Sequence, residues 1–295
     1  MFQDEAPYLK EWVEYHRMIG VDHFWLYDND SQDEWEEVLS PYIKEGLVEV
    51  FPWGGRENTH YYPVHLQIEA LKDALYKAKG KVAWLAFIDI DEFFLPKKEK
   101  TLLKCLEKHY SQADAVFVSW RHFGTRGVFI PKGEPIIHRL TASCKKLHPK
   151  DGNGKSIWRP ESVDVDNIFW VHSAPLKAGS IYLGGSGDPA DDSRFQGNYL
   201  QLNHYFLRDE NFFWDRRILF SRTGRGPYSE TDLMNIREDF SNKKNYSMVR
   251  FLEKKHPKMY RKFWNKKSKK SEALRSESSQ VDEYLEIPED IDLDD

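Results

Sequence analysis

Apolar positions over the first hundred residues follow two alternating periods. Leu9, Trp12, Val13, His16 and Ile19 recur at steps of three and four, the spacing of an amphipathic helix. Pro7 suits its first turn and Gly20 its end. The short run His23 to Tyr27 then leads into Asp28-Asn29-Asp30-Ser31, which predicts a buried strand feeding a polar loop. A helix over about 33–44 follows, stopped by Gly46, and Leu47 to Phe51 predicts a second strand. Pro52 to Glu57 is expected to be a loop. Val64, Ile68, Leu71 and Leu75 form the stripe of a third helix that ends near Gly80. Val82 to Ile88 predicts a third strand, apolar on both faces as a strand covered by helices would be. Strands alternating with helices predict parallel βαβ units, in which ligands sit beyond the carboxyl ends of the strands. Both polar strand ends, Asp28-Asn29-Asp30 and Asp89-Ile90-Asp91-Glu92, fall on that edge.

Past a further strand, Ala115 to Trp120, the pattern becomes irregular. Strand-like pieces are expected at Ile168 to Val171 and Leu200 to Phe206. Gly184 to Pro189 reads as the most flexible internal stretch. From Lys254 a basic block with aromatics runs to Lys270, then gives way to Ser-rich and acidic sequence. Residues 271–295 carry few large apolar residues among many charges, which predicts disorder.

With 40% apolar residues in 295, the chain can build a sizeable core. A formal charge of −5 gives no reason to expect a nucleic-acid partner. Cys105 and Cys144 have no metal-ligand spacing and read as ordinary thiols of a reducing compartment. No run reaches the roughly 18 apolar residues of a membrane span, and the N-terminus has no signal-peptide pattern. These features predict a soluble, cytoplasmic protein. Peripheral membrane contact through 254–270 competes with a solvated helix balanced by the acidic tail.

The strongest chemical signal is Trp84-Leu85-Ala86-Phe87-Ile88-Asp89-Ile90-Asp91-Glu92-Phe93-Phe94. In an extended chain, residues two apart point to the same side. Asp89 and Asp91 can then face one site, and two hard carboxylates suit Mg²⁺ or Mn²⁺ bridging a diphosphate. The competing reading is a solvated acidic strand end.

Several segments, in order, resemble glycosyltransferase family 92. They are Glu5 to His16, Gly20 to Phe24, Tyr27 to Ser31, Trp84 to Phe94, Trp120 to Gly124, Lys155 to Pro160 and Asn203-His204-Tyr205. The resemblance covers roughly 4–226 and implies a GT-A fold, mostly parallel and flanked by helices. It also implies a UDP-sugar donor, galactose in the best-known members, Mn²⁺ (or Mg²⁺) dependence, and inversion at the anomeric carbon. The acceptor would be a glycan or glycolipid. The GT-A domain would span 1–250, followed by a basic–aromatic segment (251–270) and the acidic tail (271–295).

Carried over by motif, Glu5, Asp28 and Asp30 would lie with the nucleotide-sugar and Asp89 and Asp91 at the metal. His204, or else His172, would be a further metal ligand. Lys155 and Arg159 would neutralise diphosphate, unless they form a solvated basic surface. Trp120, His122 and Phe123 would make an acceptor platform, with Trp120 and Phe123 as core the alternative. The base that inversion needs stays open among Glu161, Asp164, Asp166, Asp188, Asp191 and Glu230.

One departure stands out. The central first strand of a GT-A sheet has only six residues here in which to form before the first helix, so an unpaired edge is expected. Competing functions are a metal-dependent phosphoryl hydrolase and a non-catalytic carbohydrate-binding protein.

Overall fold

A computed structural model describes residues 1–54, 64–144, 153–224 and 227–264. The expected loop beyond residue 54, the block past residue 264 and the acidic tail lie outside the described residues.

The first half of the chain follows its hydrophobic pattern. Helix α1 (Ala6–Met18) buries Leu9, Trp12, Val13 and His16. Gly20 follows it at φ +100°, a conformation that costs a glycine little. Strand β1 (Phe24–Asp28), helix α2 (Trp35–Lys44) and strand β2 (Val48–Pro52) form a parallel βαβ unit, in register from Phe24 opposite Val48 to Asp28 opposite Pro52. Helix α3 (Val64–Ala78) follows. The short lead before α1 is used as sheet. Phe2 pairs with Asp28 in parallel, its N–H donating to Tyr27 O at 2.8 Å and its carbonyl accepting from Asn29 N at 2.9 Å.

The second sheet corrects the expectation of a mostly parallel array. Strands β3 (Leu85–Ala86), β4 (Glu92–Pro96), β5 (Ala115–Gly124), β6 (Ala142–Ser143), β7 (Gly154–Trp158), β8 (Tyr182–Gly184), β9 (Leu200–His204) and β10 (Lys243–Lys244) make eight strands. The pairs β3–β7, β4–β9, β5–β6, β5–β7 and β6–β10 are antiparallel; only β5–β8 and β5–β9 are parallel. Parallel neighbours need a crossover of a dozen or more residues, usually a helix. The helical periods that supply one stop early in the chain, so the later strands pair by reversal.

Three local expectations also change. The predicted third strand shrinks to Leu85–Ala86, both half-exposed, because only those residues meet β7. Ile168 to Val171 follows a 3₁₀ turn (Val165–Asn167) and joins no sheet. Gly184 to Pro189 is a hydrogen-bonded turn: Gly184 N donates to Asp188 O at 2.7 Å, and Gly185 O accepts from Tyr199 N and Leu200 N.

Helix α4 (Leu102–His109), capped by Thr101, covers β4. A helical stretch then runs through α5 (Glu210–Phe212), a π-helical segment (Phe213–Ile218) and α6 (Leu219–Arg222). Helices α7 (Glu230–Asp239) and α8 (Ser247–Lys255) complete the described chain, with a last helical piece reaching Trp264. Among the described residues no helix is long and apolar enough to cross a membrane.

A domain boundary at residue 250 does not match this packing. It would cut α8, whose Phe251 and Leu252 are buried, and Trp264 is only 3% exposed. Trp264, with half-buried Tyr260 and Phe263, packs into the main core. Of the aromatics expected to anchor a lipid surface, Trp264 is committed inward against Tyr15 of α1, and Tyr260 and Phe263 are half-buried against the same core.

The Trp264 indole donates to Glu11 Oε1 at 2.8 Å, and Ile136 N and Ile137 N also donate to the Glu11 carboxylate. Burial outweighs these three donors and pushes Glu11 up to about 7. An acid whose folded pKa is raised gives stability that is full below its unfolded pKa of roughly 4.5 and is lost as pH rises through the folded value. The thermal midpoint of the unaltered protein should therefore fall between pH 5 and pH 8 by several degrees more than that of Glu11→Gln. Parallel midpoints for the two proteins across that range would contradict the assignment.

Candidate functional site

The acidic motif forms a tight connection between β3 and β4. Trp12, on the buried face of α1, donates its indole N–H to Asp89 O at 3.1 Å and Glu92 O at 3.2 Å. Glu92 Oε2 accepts from Asp89 N at 2.8 Å, and Asp91 O accepts from Tyr205 N at 2.8 Å. Four hydrogen bonds thus fix the turn, two shared by the Trp12 N–H, one internal and one from Tyr205.

Lys155 on β7, 1% exposed, places its ammonium 3.1 Å from Asp89 Oδ2. Burial alone would lower the pKa of Lys155, but Asp89 and Glu92 carry it up to about 12. Burial likewise works against ionisation of Asp89, and Lys155 outweighs it, holding Asp89 below its usual range. Glu92 is fully buried, and burial pushes it up to about 7 despite Lys155. Its Oε1 accepts from Trp120 Nε1 at 2.6 Å.

Asp91 is 7% exposed. Its Oδ1 lies 3.5 Å from His204 Nε2 but has no hydrogen-bond donor among the described residues; its Oδ2 is 3.6 Å from Arg217 Nη2. Burial would neutralise Asp91, and the charge of His204 reverses that, holding its pKa well down. His204 shows the mirror image: burial opposes its charge and Asp91 raises its pKa.

Sheet register explains the grouping. Glu92 on β4 faces His204 on β9, and His204 faces His122 on β5. Directly opposite residues share a sheet face, so one row carries Glu92, His204 and His122. Trp120, two residues before His122, packs on His204 with ring centroids 4.6 Å apart.

The structure thus brings Asp89, Asp91, Lys155, His204 and Trp120 together. Glu5 joins them through Arg208, whose Nη2 donates to Glu5 Oε2 at 2.6 Å. Burial pushes Glu5 up to about 7, with Arg208 opposing and Asp91 reinforcing. Asp28 and Asp30 stand at the end of the parallel β1–β2 pair. Asp28 Oδ1 accepts from Ser31 N at 3.1 Å. Asp30 fills the space beside Gly54, where an added Cβ would come within 1.9 Å of its carboxyl carbon.

Arg159 is not brought to the acidic turn. Its guanidinium donates to Ala113 O and Ser111 O and stacks 4.2 Å over Trp84, so packing on β5's entry claims it. Of the expected acceptor platform, Phe123 is core, 1% exposed and stacked on Tyr205. His122 is 4% exposed and stacked on Phe240, so neither offers a face to a sugar. Of the two histidines, His204 meets Asp91, whereas His172 is turned to Gly154 O, 2.9 Å from its Nδ1.

The open set of bases is drawn elsewhere too. Glu161 binds Gly80 N, Asp164 binds Asn167, Asp166 binds Tyr76, Asp191 binds Arg194 and Glu230 binds Arg222. The backbone of Asp188 closes the Gly184 turn. Sequence reasoning assigned no role to Glu92, Trp12 or Arg217. Glu92's adjacency to the Asp pair was the one available signal; Arg217 sits in a helical stretch with no motif.

Among the described residues no group of three or more His, Cys, Asp or Glu side chains is arranged to hold a metal ion. Two donors nonetheless fit one. The orphaned anionic oxygen of Asp91 and the imidazole of His204 pair a hard with a borderline ligand. Mg²⁺-type cations are usually held by one or two protein carboxylates plus substrate phosphates.

These features define an α/β protein with a buried acidic turn ringed by cations and imidazoles. The chain belongs to glycosyltransferase family 92, whose sequence profile matches residues 1–244. It is similar to a glycosyltransferase family 92 protein of Ricinus communis, 28% identical over 211 residues, 70% of this chain and 34% of that one. It is also similar to galactan beta-1,4-galactosyltransferase GALS3 of Arabidopsis thaliana, 34% identical over 110 residues, 35% of this chain and 21% of that one. The chain spans about a third of the length of the family 92 relatives it matches. Among solved structures it is similar to S. aureus TarS 1–349 in complex with UDP-GlcNAc, at 12% identity and a TM-score of 0.38 over 92% of this chain and 75% of that one.

Removing Lys155 should expose how far the acidic turn depends on it. Lys155→Met strands two carboxylates. The cost should be about 2 kcal/mol at pH 7.5, below the ~3–5 kcal/mol of a wholly buried pair, because Asp89 keeps 38% exposure. Part of the loss should return at pH 5.5, where Glu92 is protonated. Urea denaturation measures it; an unchanged midpoint at pH 7.5 would contradict the pairing.

Proposed function

We propose that the chain transfers a hexose, galactose or a close relative, from a UDP-sugar to a hydroxyl of a glycan or glycolipid. The observation that carries this reading is the Asp91 carboxylate. It is nearly dry, fixed by its backbone to Tyr205, and one of its oxygens lacks a hydrogen bond while facing His204. His204 offsets the charge of that oxygen from 3.5 Å without closing a hydrogen bond on it, and a cation bound with the donor would give it a closer partner. Family membership and the galactosyltransferase named among the relatives point to the same chemistry.

Asp91 and His204 would hold Mn²⁺, or Mg²⁺, and Asp89 lies beside them to orient the nucleotide-sugar. The metal would offset the charge that gathers on the departing diphosphate. Arg217 and Lys155 place two further positive charges at the same turn, Arg217 with a quarter of its side chain exposed. Trp12 holds the turn rigid, so the carboxylates need not reorganise as charge develops. Glu5 and the Asp28–Asp30 loop would border the nucleoside. Inversion, by direct attack of the acceptor oxygen on the anomeric carbon, is part of the proposal.

Calorimetric titration with UDP, with and without Mn²⁺, tests it. UDP should bind more tightly with Mn²⁺, and Asp91→Asn should abolish that gain with little change in thermal midpoint. His204→Ala should weaken Mn²⁺ more than His172→Ala. Equal UDP affinity with and without Mn²⁺ would remove the metal from the reading. No binding of UDP or UDP-galactose under either condition would sink the transferase reading.

A further inference from the structure

Beside the acidic turn, on the far side of Trp120, lies a cavity of about 280 Å³. Its lining includes Trp120, Asn153, Trp170, His172, Ser173 and Asp192. That mixture of aromatic faces and hydroxyl-matching polar groups differs from a core void, which is apolar throughout. Its volume sits just under the ~300–1,000 Å³ usual for drug-sized ligands, enough for one sugar ring. Trp170 is 45% exposed, unusual for a tryptophan in a folded chain.

The lining is held in place. Trp120's one hydrogen-bond donor is spent on Glu92, which leaves the indole an apolar surface toward the cavity. His172 stacks on Trp170, with ring centroids 4.8 Å apart and planes 25° apart, and meets Trp120 edge-on at 5.0 Å. A carbonyl can only accept, so the 2.9 Å contact with Gly154 O places the proton on His172 Nδ1. With the ring neutral, its pKa lowered to about 4 by burial and by Lys155, Nε2 is left as an acceptor. Gly154 itself is held close against β5: a Cβ there would come within 2.1 Å of Val118 O.

Pyranose rings present C–H faces to aromatic planes and hydroxyls at their edges. We propose that this cavity is the acceptor subsite, taking one hexopyranose of a neutral oligosaccharide against Trp170 and receiving a sugar hydroxyl at His172 Nε2. The assignment rests on the transferase reading and adds the acceptor's place to it. Its position fits that role, because Trp120 touches His172 on one side and His204 on the other, at 5.0 Å and 4.6 Å. An acceptor sugar here would sit one indole ring from the proposed donor site. Asp192, exposed at the rim, is the carboxylate that faces the same space. This replaces the platform of Trp120, His122 and Phe123: Trp120 is kept, and Trp170 and His172 take the places of the two buried rings.

Saturation-transfer NMR with β-1,4-linked galactobiose and galactotetraose tests the subsite without requiring turnover, and UDP titration on the same samples reports the donor side separately. Millimolar oligosaccharide binding is expected for the unaltered chain. Trp170→Ala should weaken it about tenfold, the scale of one lost aromatic contact, with UDP affinity unchanged. His172→Phe, which keeps the stack but removes the acceptor nitrogen, should also weaken it. Phe169→Ala, altering an exposed neighbour outside the cavity, should not. Oligosaccharide binding that survives Trp170→Ala and His172→Phe undiminished would overturn the subsite, as would no binding by an unaltered chain that binds UDP. A chain that binds the sugars at Trp170 but not UDP would keep the subsite and overturn only the transferase reading.

Discussion

Three carboxylates within four residues stand at one turn, Asp91 and Glu92 buried and Asp89 partly exposed, and the second sheet is arranged around neutralising them. Like charges this close cannot all ionise in a dry site without compensation. The fold answers with a different partner for each. Asp89 receives the Lys155 ammonium, Asp91 receives His204 and Arg217, and Glu92 receives the Trp120 indole N–H and the Asp89 backbone N–H. Those partners come from β7, β9, the π-helical stretch and β5, four elements far apart in sequence. The requirement also sets register. A one-residue slip of β7 against β5 would send Lys155 to the opposite sheet face and leave Asp89 without its cation.

That dependence explains which parts of the fold could be read from the sequence. Helices α1, α2 and α3 and strands β1 and β2 announce themselves because one face of each is buried against a continuous partner, so the apolar period matches the structure. The glycine stops at Gly20, Gly46 and Gly80 hold because each adopts positive φ. Antiparallel pairing in the second sheet was not legible. β3, β6, β8 and β10 are two or three residues long, and their pairing is decided by distant partners rather than by local pattern. The segment Val82 to Ile88 does keep a strand's two faces, with Trp84, Ala86 and Ile88 packed on the main core and Leu85 and Phe87 on the cluster around α3; what its pattern does not reveal is that only Leu85 and Ala86 find a ladder partner in β7.

The candidate site was legible where chemistry is local. Asp89 and Asp91 are marked by their spacing, and His204 by its motif. The partners that give the site its charge balance carry no such mark. A lysine at the start of β7 reads as a surface residue until Gly154 is seen to bring that strand against Val118. Arg159 shows the reverse error. Four positions on, just past the end of β7, it looks equally suited to phosphate, yet the carbonyls of Ala113 and Ser111 claim it. His122 and Phe123 mislead because an aromatic run in a strand is compatible with either a sugar platform or core. Only the stacking on Phe240 and Tyr205 decides.

Helix α1 links this site to a part of the chain that the family profile does not reach. The profile ends at residue 244, whereas α8 and the piece ending at Trp264 lie beyond it. Consecutive residues of α1 serve the two sides. Trp12 bonds the carbonyls of Asp89 and Glu92, and Glu11 receives the Trp264 indole. Successive helical positions point roughly 100° apart, so one rigid helix can hold the acidic turn with one face and the C-terminal segment with another. Whatever loosens Trp264 from Glu11 acts on the same helix that positions Trp12. The stability of the acidic turn and the docking of the segment after residue 250 are therefore coupled through a single element, which is why that segment is better regarded as part of the domain than as an appendage to it.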